Sequence, residues 1–153
     1  MREILFRGKN EYGVWVYGMY IPYQNGEAAI LYEKFSAYGY EAIELCQRSK
    51  VIPETVGQFT GFNDKNGKKI FEGDYWIDTD ENDIFVVEFR NGQYCFVIYG
   101  ACGVLMEYGY DETAGGFGEC DCVPMTDYYI EEMEIIGNIH DNPELISGGS
   151  NAD

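Results

Sequence analysis

Residues 53–77 read PETVGQFTGFNDKNGKKIFEGDYWI, and this stretch decides the fold. Residues 58–62 form one apolar run, Asn66-Gly67 a turn, and residues 69–71 the return. Gly73-Asp74 then turns the chain into Tyr75-Trp76-Ile77. Asn and Gly both tolerate positive φ, so Asn-Gly favours a tight hairpin whose twist matches its strands. A two-residue loop would pair Phe62 with Phe71 and set Asp64 opposite Lys69, joining an aromatic pair to a cross-strand ion pair. The stretch contains turn and strand chemistry but no catalytic group.

Two more Asn-Gly pairs follow the same logic. Asn25-Gly26 separates an aromatic run, residues 13–23, from residues 28–32, and a two-residue loop sets Ile21 opposite Ile30 and Met19 opposite Tyr32. Gly18 within that run marks a bulge or a close backbone approach. Asn91-Gly92 pairs Phe89 with Tyr94, Val87 with Phe96 and Phe85 with Ile98, all on one face. Glu88, Arg90, Gln93 and Cys95 fall on the other, mostly polar face. A slip of one residue would bury Glu88 and Arg90, so this register is firmly specified.

The expected fold is mainly β: antiparallel hairpins forming a partly open SH3-like small barrel or pseudo-barrel, with at most one or two short helices. Aromatics at 16% support strands. We expect an N-terminal β lobe over 1–50, packed on or contributing to the same unit. A β core then spans 51–146, with an acidic Gly-rich insertion at 109–123 and a disordered tail at 147–153. Residues 40–45 suit a strand or a helical turn equally. Residues 126–133 suit a short helix capped by Thr126. Residues 135–139 read as a final strand, and Asn142 and Pro143 as N-cap and first residue of a closing helical turn.

Charge is unevenly spread. Residues 1–90 hold all ten Lys and Arg against fifteen Asp and Glu, while residues 91–153 hold twelve acids and no Lys or Arg. Such a surface repels nucleic acid, which is bound through cations, unless Arg2, Arg7, Lys9, Arg48, Lys50, Lys65, Lys68 and Lys69 cluster. It suits a basic protein partner or, alternatively, an acidic mimic of nucleic acid that blocks a DNA-binding protein.

Candidate chemistry is sparse. Cys102, Cys120, Cys122 and His140, with Cys95 on the polar side of its hairpin, form the one conceivable metal set, but zinc knuckles space their paired cysteines more widely. Free thiols are the expectation, in keeping with an odd count of five cysteines and no signal-peptide core. Asp78, Asp80 and Asn82 imitate the start of a calcium loop, yet Asp83 stands where Gly is required and Phe89 at the twelfth position. No phosphate-binding glycine motif is present. His140 is the sole histidine and sits beside Asp141 in a terminal turn. We therefore expect no cofactor and no enzymatic activity, the alternative being an enzyme that uses Asp and Glu of 74–83 or 107–127. No apolar run is long enough to span a membrane, and a soluble cytosolic protein is expected.

Several blocks together resemble the YopX family of small bacteriophage and prophage proteins. They are Phe6-Arg7-Gly8-Lys9, Gly13-x-Trp15-Val16-Tyr17-Gly18, residues 53–61 (PETVGQFTG), residues 64–74 (DKNGKKIFEGD) and residues 135–145 (IIGNIHDNPEL). Residues 28–50 and 94–130 match poorly. The resemblance implies a mostly β fold and a phage, prophage or mobile-element origin, and brings no catalytic residue with it. It gives Gly57, Gly61, Asn66, Gly67, Gly73, Asp74, Asn142 and Pro143 an architectural role, and the hairpin pattern itself gives Asn91 and Gly92 the same role. The expected activity is a non-enzymatic interaction module, homo-oligomeric, binding a host or phage protein.

Overall fold

The computed structural model describes residues 2–33, 46–78, 83–90, 92–99, 122–124 and 132–144. The chain divides into two units, residues 1–61 and 62–153. Both are antiparallel β among the described residues, and neither sheet closes into a full barrel. The readings of residues 40–45, of the helix over 126–131, of the insertion at 109–121 and of the tail from 147 lie outside the described residues.

In the first unit, β1 (Phe6–Lys9), β2 (Trp15–Pro22), β3 (Ala28–Glu33), β4 (Cys46–Val51) and β5 (Gly57–Asn63) lie in the order β4-β3-β2-β1-β5. A 3-10 turn at Pro53–Thr55 links the last two. Ala28, Ile30 and Val51 form a core with Phe6, Val16, Tyr20 and Val56 against it. β1 pairs with residues 15–18 of β2, and β3 pairs with residues 19–22. The bend falls at Gly18, where an added Cβ would land on Leu31 O. This is the close backbone approach expected of that glycine. Just past β4, Ile52 N–H donates to Lys9 O at 2.7 Å, and Lys9 N–H donates to Thr55 Oγ1 at 2.8 Å. The sheet thus curls back on itself by single bonds rather than by a ladder.

The second unit holds the end of β5, then β6 (Lys69–Phe71), β7 (Asp74–Asp78), β8 (Asp83–Arg90), β9 (Gln93–Tyr99), β10 (Cys122–Pro124) and β11 (Gly137–Asn138). Its sheet runs β10-β9-β8-β7-β11. The β8–β9 register pairs Phe89 with Tyr94, Val87 with Phe96 and Phe85 with Ile98, as expected. Phe85, Val87 and Phe96 are buried with Ile70, Met133 and Ile135, and Trp76 stacks on Phe85 at 4.6 Å. Phe89 meets Tyr94 edge-on at 5.0 Å but stays 54% exposed.

Four expectations need correction. The other hairpin registers slip by one: Ile21 faces Ala29 and Met19 faces Leu31. Asp64 N–H donates to Lys68 O, so Asp64 faces Lys68 rather than Lys69. Both loops have three residues, closed by Gly26 N–H to Tyr23 O and Gly67 N–H to Asp64 O. In such a loop a type I turn is followed by one glycine with positive φ; Gly26 (+88°) and Gly67 (+80°) take that place.

The second correction concerns β8 and β9, whose far face is not polar throughout. Ile84 and Val86 pack there with Tyr75, and Cys95 is fully buried. The near face alone would leave Tyr75 without an apolar neighbour layer. Third, the final strand shrinks to Gly137–Asn138, because a tight turn begins at Ile139. Fourth, the helical turn expected after Asn142 has Glu144 as its first helical residue, one past Pro143, and Asn142 Oδ1 accepts Asn138 N–H at 3.4 Å.

Candidate functional site

The turn at 64–68 is held by a carboxylate. Asp64 Oδ1 accepts Asn66 N–H and Lys68 N–H, each at 2.9 Å. Its Oδ2 accepts Ile135 N–H at 3.0 Å. Burial pushes this carboxyl up, but the backbone donors of Ile135, Lys68 and Asn66, aided by the Lys68 charge, hold it below its ordinary value. Lys65 N–H donates to Met133 O, and Glu134 takes Asn66 Nδ2 and Lys65 Nζ. The expected Asp64–Lys69 ion pair gives way to this backbone anchor. An ion pair at the surface would contribute little, whereas a buried carboxylate must find donors.

A second knot joins Gly73 and Asp74 to the C-terminal block. Gly73 has φ +88°, and an added Cβ would sit 3.3 Å from Ile139 Cγ1. The buried Asp74 carboxylate accepts Phe71 N–H at 2.8 Å, which shapes the turn between β6 and β7. Ile139 N–H donates to Gly73 O, and Tyr75 Oη donates to Asn142 O at 2.8 Å. Asn138 Oδ1 accepts His140 N–H and Asp141 N–H, while its Nδ2 donates to Asp141 Oδ2. An added Cβ at Gly137 would strike Asn142 Oδ1. Gly73, Asp74, Asn142 and the residue before Pro143's turn therefore meet in one place. Asn138, the hub of that place, was missed; its signal was an Asn two and three residues ahead of turn N–H groups.

The other architectural residues lie elsewhere. Gly57 faces Arg7 across β1 and β5, and Gly61 has φ +92°. Gly92 has φ +79°, and Asn91 lies outside the described residues. Of the candidate metal set, Cys102 and Cys120 also lie outside them, Cys122 belongs to β10, and His140 is tied by its backbone to Asn138. Among the described residues no three His, Cys, Asp or Glu side chains converge.

A surface of another kind lies on the first unit. The register places Arg7 beside Tyr17, Lys9 beside Trp15, and Met19, Leu31 and Arg48 in one row. Ile21, Ala29 and Lys50 form the next row. Side chains alternate along a strand, so these residues share the face opposite the core. Tyr17 is 48% and Met19 53% exposed, whereas Arg7 and Ala29 on the same side are buried. The Arg7 guanidinium lies 4.6 Å from the Trp15 ring centre, and Lys9 Nζ lies 5.5 Å from it. Such cation–π contacts pin the ring and keep the cations close to it. Four of the eight cations singled out in the sequence therefore share one aromatic face.

Among the described residues, no helix is long and apolar enough to cross a membrane. A search of curated proteins gives no match. One solved structure with a similar fold is "Crystal structure of protein EF1440 from Enterococcus faecalis", at 19% identity and TM-score 0.54, covering 95% of this chain and 99% of that one. At that identity the likeness speaks for fold alone. The family model for the YopX protein matches residues 5–147 and takes in every block quoted above, so this chain belongs to the YopX family.

Proposed function

We propose that this protein is a non-enzymatic interaction module of phage or prophage origin that binds another protein in the bacterial cytosol and self-associates. One observation carries the reading: the outward face of β2, where Tyr17 and Met19 stand exposed between Trp15 and Leu31 with the exposed Arg48 at the margin. Trp, Tyr, Met and Arg are the residues enriched at protein interfaces, and clustered exposed apolar side chains mark such sites. The polar knots support the same reading, since the carboxylates of Asp64 and Asp74 and the Asn138 side-chain oxygen accept backbone N–H groups that shape turns.

The second unit carries twenty Asp and Glu against four Lys and Arg. That surplus favours a basic partner for this unit, with mimicry of nucleic acid as the alternative built on the same charge. Asp64 and Asp74 do not contribute to it at the surface, since both are buried.

The test is a Tyr17→Glu, Met19→Glu double variant. Cross-linked capture from bacterial lysate and light scattering on the purified protein should both respond. The double variant should lose the captured protein or the self-association at least tenfold while its thermal unfolding is unchanged. Undiminished capture and assembly would sink the reading. A partner held by the acidic unit should also dissociate as salt is raised.

A further inference from the structure

β4 ends the strand order of the first unit, so among the described residues one edge of Cys46–Val51 has no strand beside it, while just beyond it Ile52 N–H is already taken by Lys9 O. A cavity of about 430 Å³ adjoins that strand, lined by residues 48–53 and by Asn10, Glu11 and Tyr12 of the first turn. Ile52 continues the extended backbone, with φ −74° and ψ 116°. Arg48, Lys50 and Ile52 therefore point to one side in alternation, and Gln47 and Ser49 to the other.

The charges on this wall are unequal. Lys50 Nζ is held by Glu27 at 2.7 Å, and Glu11 lies close enough to favour its charged form further. Arg48 makes no ion pair among the described residues; its guanidinium lies 5.8 Å from the Tyr23 ring centre. Beyond it, Ile52 is 43% and Tyr12 81% exposed, an apolar wall four residues along the strand.

We propose that this edge takes an extended segment of a partner protein, added antiparallel to β4, with a carboxylate on Arg48 and a large apolar side chain against Tyr12 and Ile52. Strand addition supplies main-chain hydrogen bonds, and the alternate side chains supply selection. Arg48 and Ile52 are roughly 13 Å apart along a strand. The segment therefore carries its apolar residue four positions before its Asp or Glu. A second copy of this chain fits poorly. Pairing β4 with itself about a twofold axis sets Arg48 and Lys50 among their own copies, and like charges across a ladder repel. The proposal rests on the protein-binding reading above and narrows it to one edge.

The experiment titrates 15N-labelled protein with the blocked peptide acetyl-TTLTSTETT-amide and with the same peptide carrying Lys in place of Glu. The Glu peptide should shift the amides of residues 47–52, and the Lys peptide should bind roughly tenfold more weakly, as loss of a charged hydrogen bond implies. Arg48→Glu should reverse that preference; Arg48→Ala should abolish it. Equal binding of both peptides, or no shift at 47–52 at millimolar peptide, overturns the proposal. So does a concentration-dependent shift at these amides without peptide, which would make a second copy the occupant. The outward-face double variant keeps β4 intact. If it loses capture while the peptides still discriminate, the broader reading and this edge both stand; capture without peptide discrimination sinks the edge alone.

Discussion

Two turns, one in each unit, share one backbone and differ in a single atom. At residues 10–14, Asn10 N–H donates to Val14 O, Gly13 N–H donates to Asn10 O, and Asn10 Oδ1 accepts Tyr12 and Val14 N–H. At residues 64–68, Asp64 makes the same four bonds with Lys68, Gly67 and Asn66. The Asn10 loop tip is exposed, and its side chain needs one acceptor. Asp64 is buried and uses its second oxygen on Ile135, 71 residues away. An amide could form the turn but could not also accept that distant N–H. The same local device is a simple turn in one place and a tertiary anchor in the other.

The largest effect should come from Asp64→Ala, which strands three backbone donors; we expect the second unit to lose about 3 kcal/mol in urea unfolding. Asp64→Asn keeps the turn acceptor but sets an NH₂ group against Ile135 N–H, and should cost about 2 kcal/mol. If Asp64→Asn proves neutral, the bond to Ile135 contributes nothing and the contrast between the turns collapses. Asn10→Ala should cost about 1 kcal/mol or less, since water reaches its donors. Asn10→Asp should change stability by only about 0.5 kcal/mol in either direction.

Acid sharpens the contrast further. The folded carboxyl of Asp64 is depressed, so the unfolded chain takes up the proton first. Its contribution is complete above the ordinary carboxylate range, about pH 4, and is lost as pH falls through the lower folded value. Stability of the wild type should therefore fall between about pH 5 and pH 2 more steeply than that of Asp64→Asn. Parallel curves would show that the anchor is not held as a carboxylate.

The same pair of turns explains what the sequence could and could not show. The 84–99 hairpin is legible to the residue because Arg90 pairs directly with Gln93, and a slip of one residue would carry Glu88 and Arg90 onto the face of Phe85, Val87 and Phe96. The Asn-Gly at 25–26 has no such arbiter. Trp15, Tyr17, Met19 and Ile21 alternate with Val16 and Tyr20, and either register sets large apolar groups on both faces. The dipeptide favoured a two-residue loop, but a glycine three residues after Tyr23 or Asp64 suits a type I turn equally well. Asp or Asn at the head of that turn, as in DKNG and NEYG, was the readable signal. The outward aromatic face stayed hidden for the same reason: nothing in β2 alone says which row of rings meets the core. The knot around Asn138 needs pairings that no local pattern encodes, since Asp64 and Tyr75 find partners 71 and 67 positions away.

Those distant partners give the second unit an order of assembly. During synthesis, the strands from Lys69 to Tyr99 are made before residues 133–142 exist, and loops this long are slow to close. Until they do, Asp64 has one oxygen unmet and Tyr75 no acceptor at Asn142. A nascent chain stalled before Met133, or a message cut short there, would present a sheet with an unclosed edge to chaperones and proteases. The segment from Met133 to Asn142 thus acts as a completion check on the strands of the second unit translated before it.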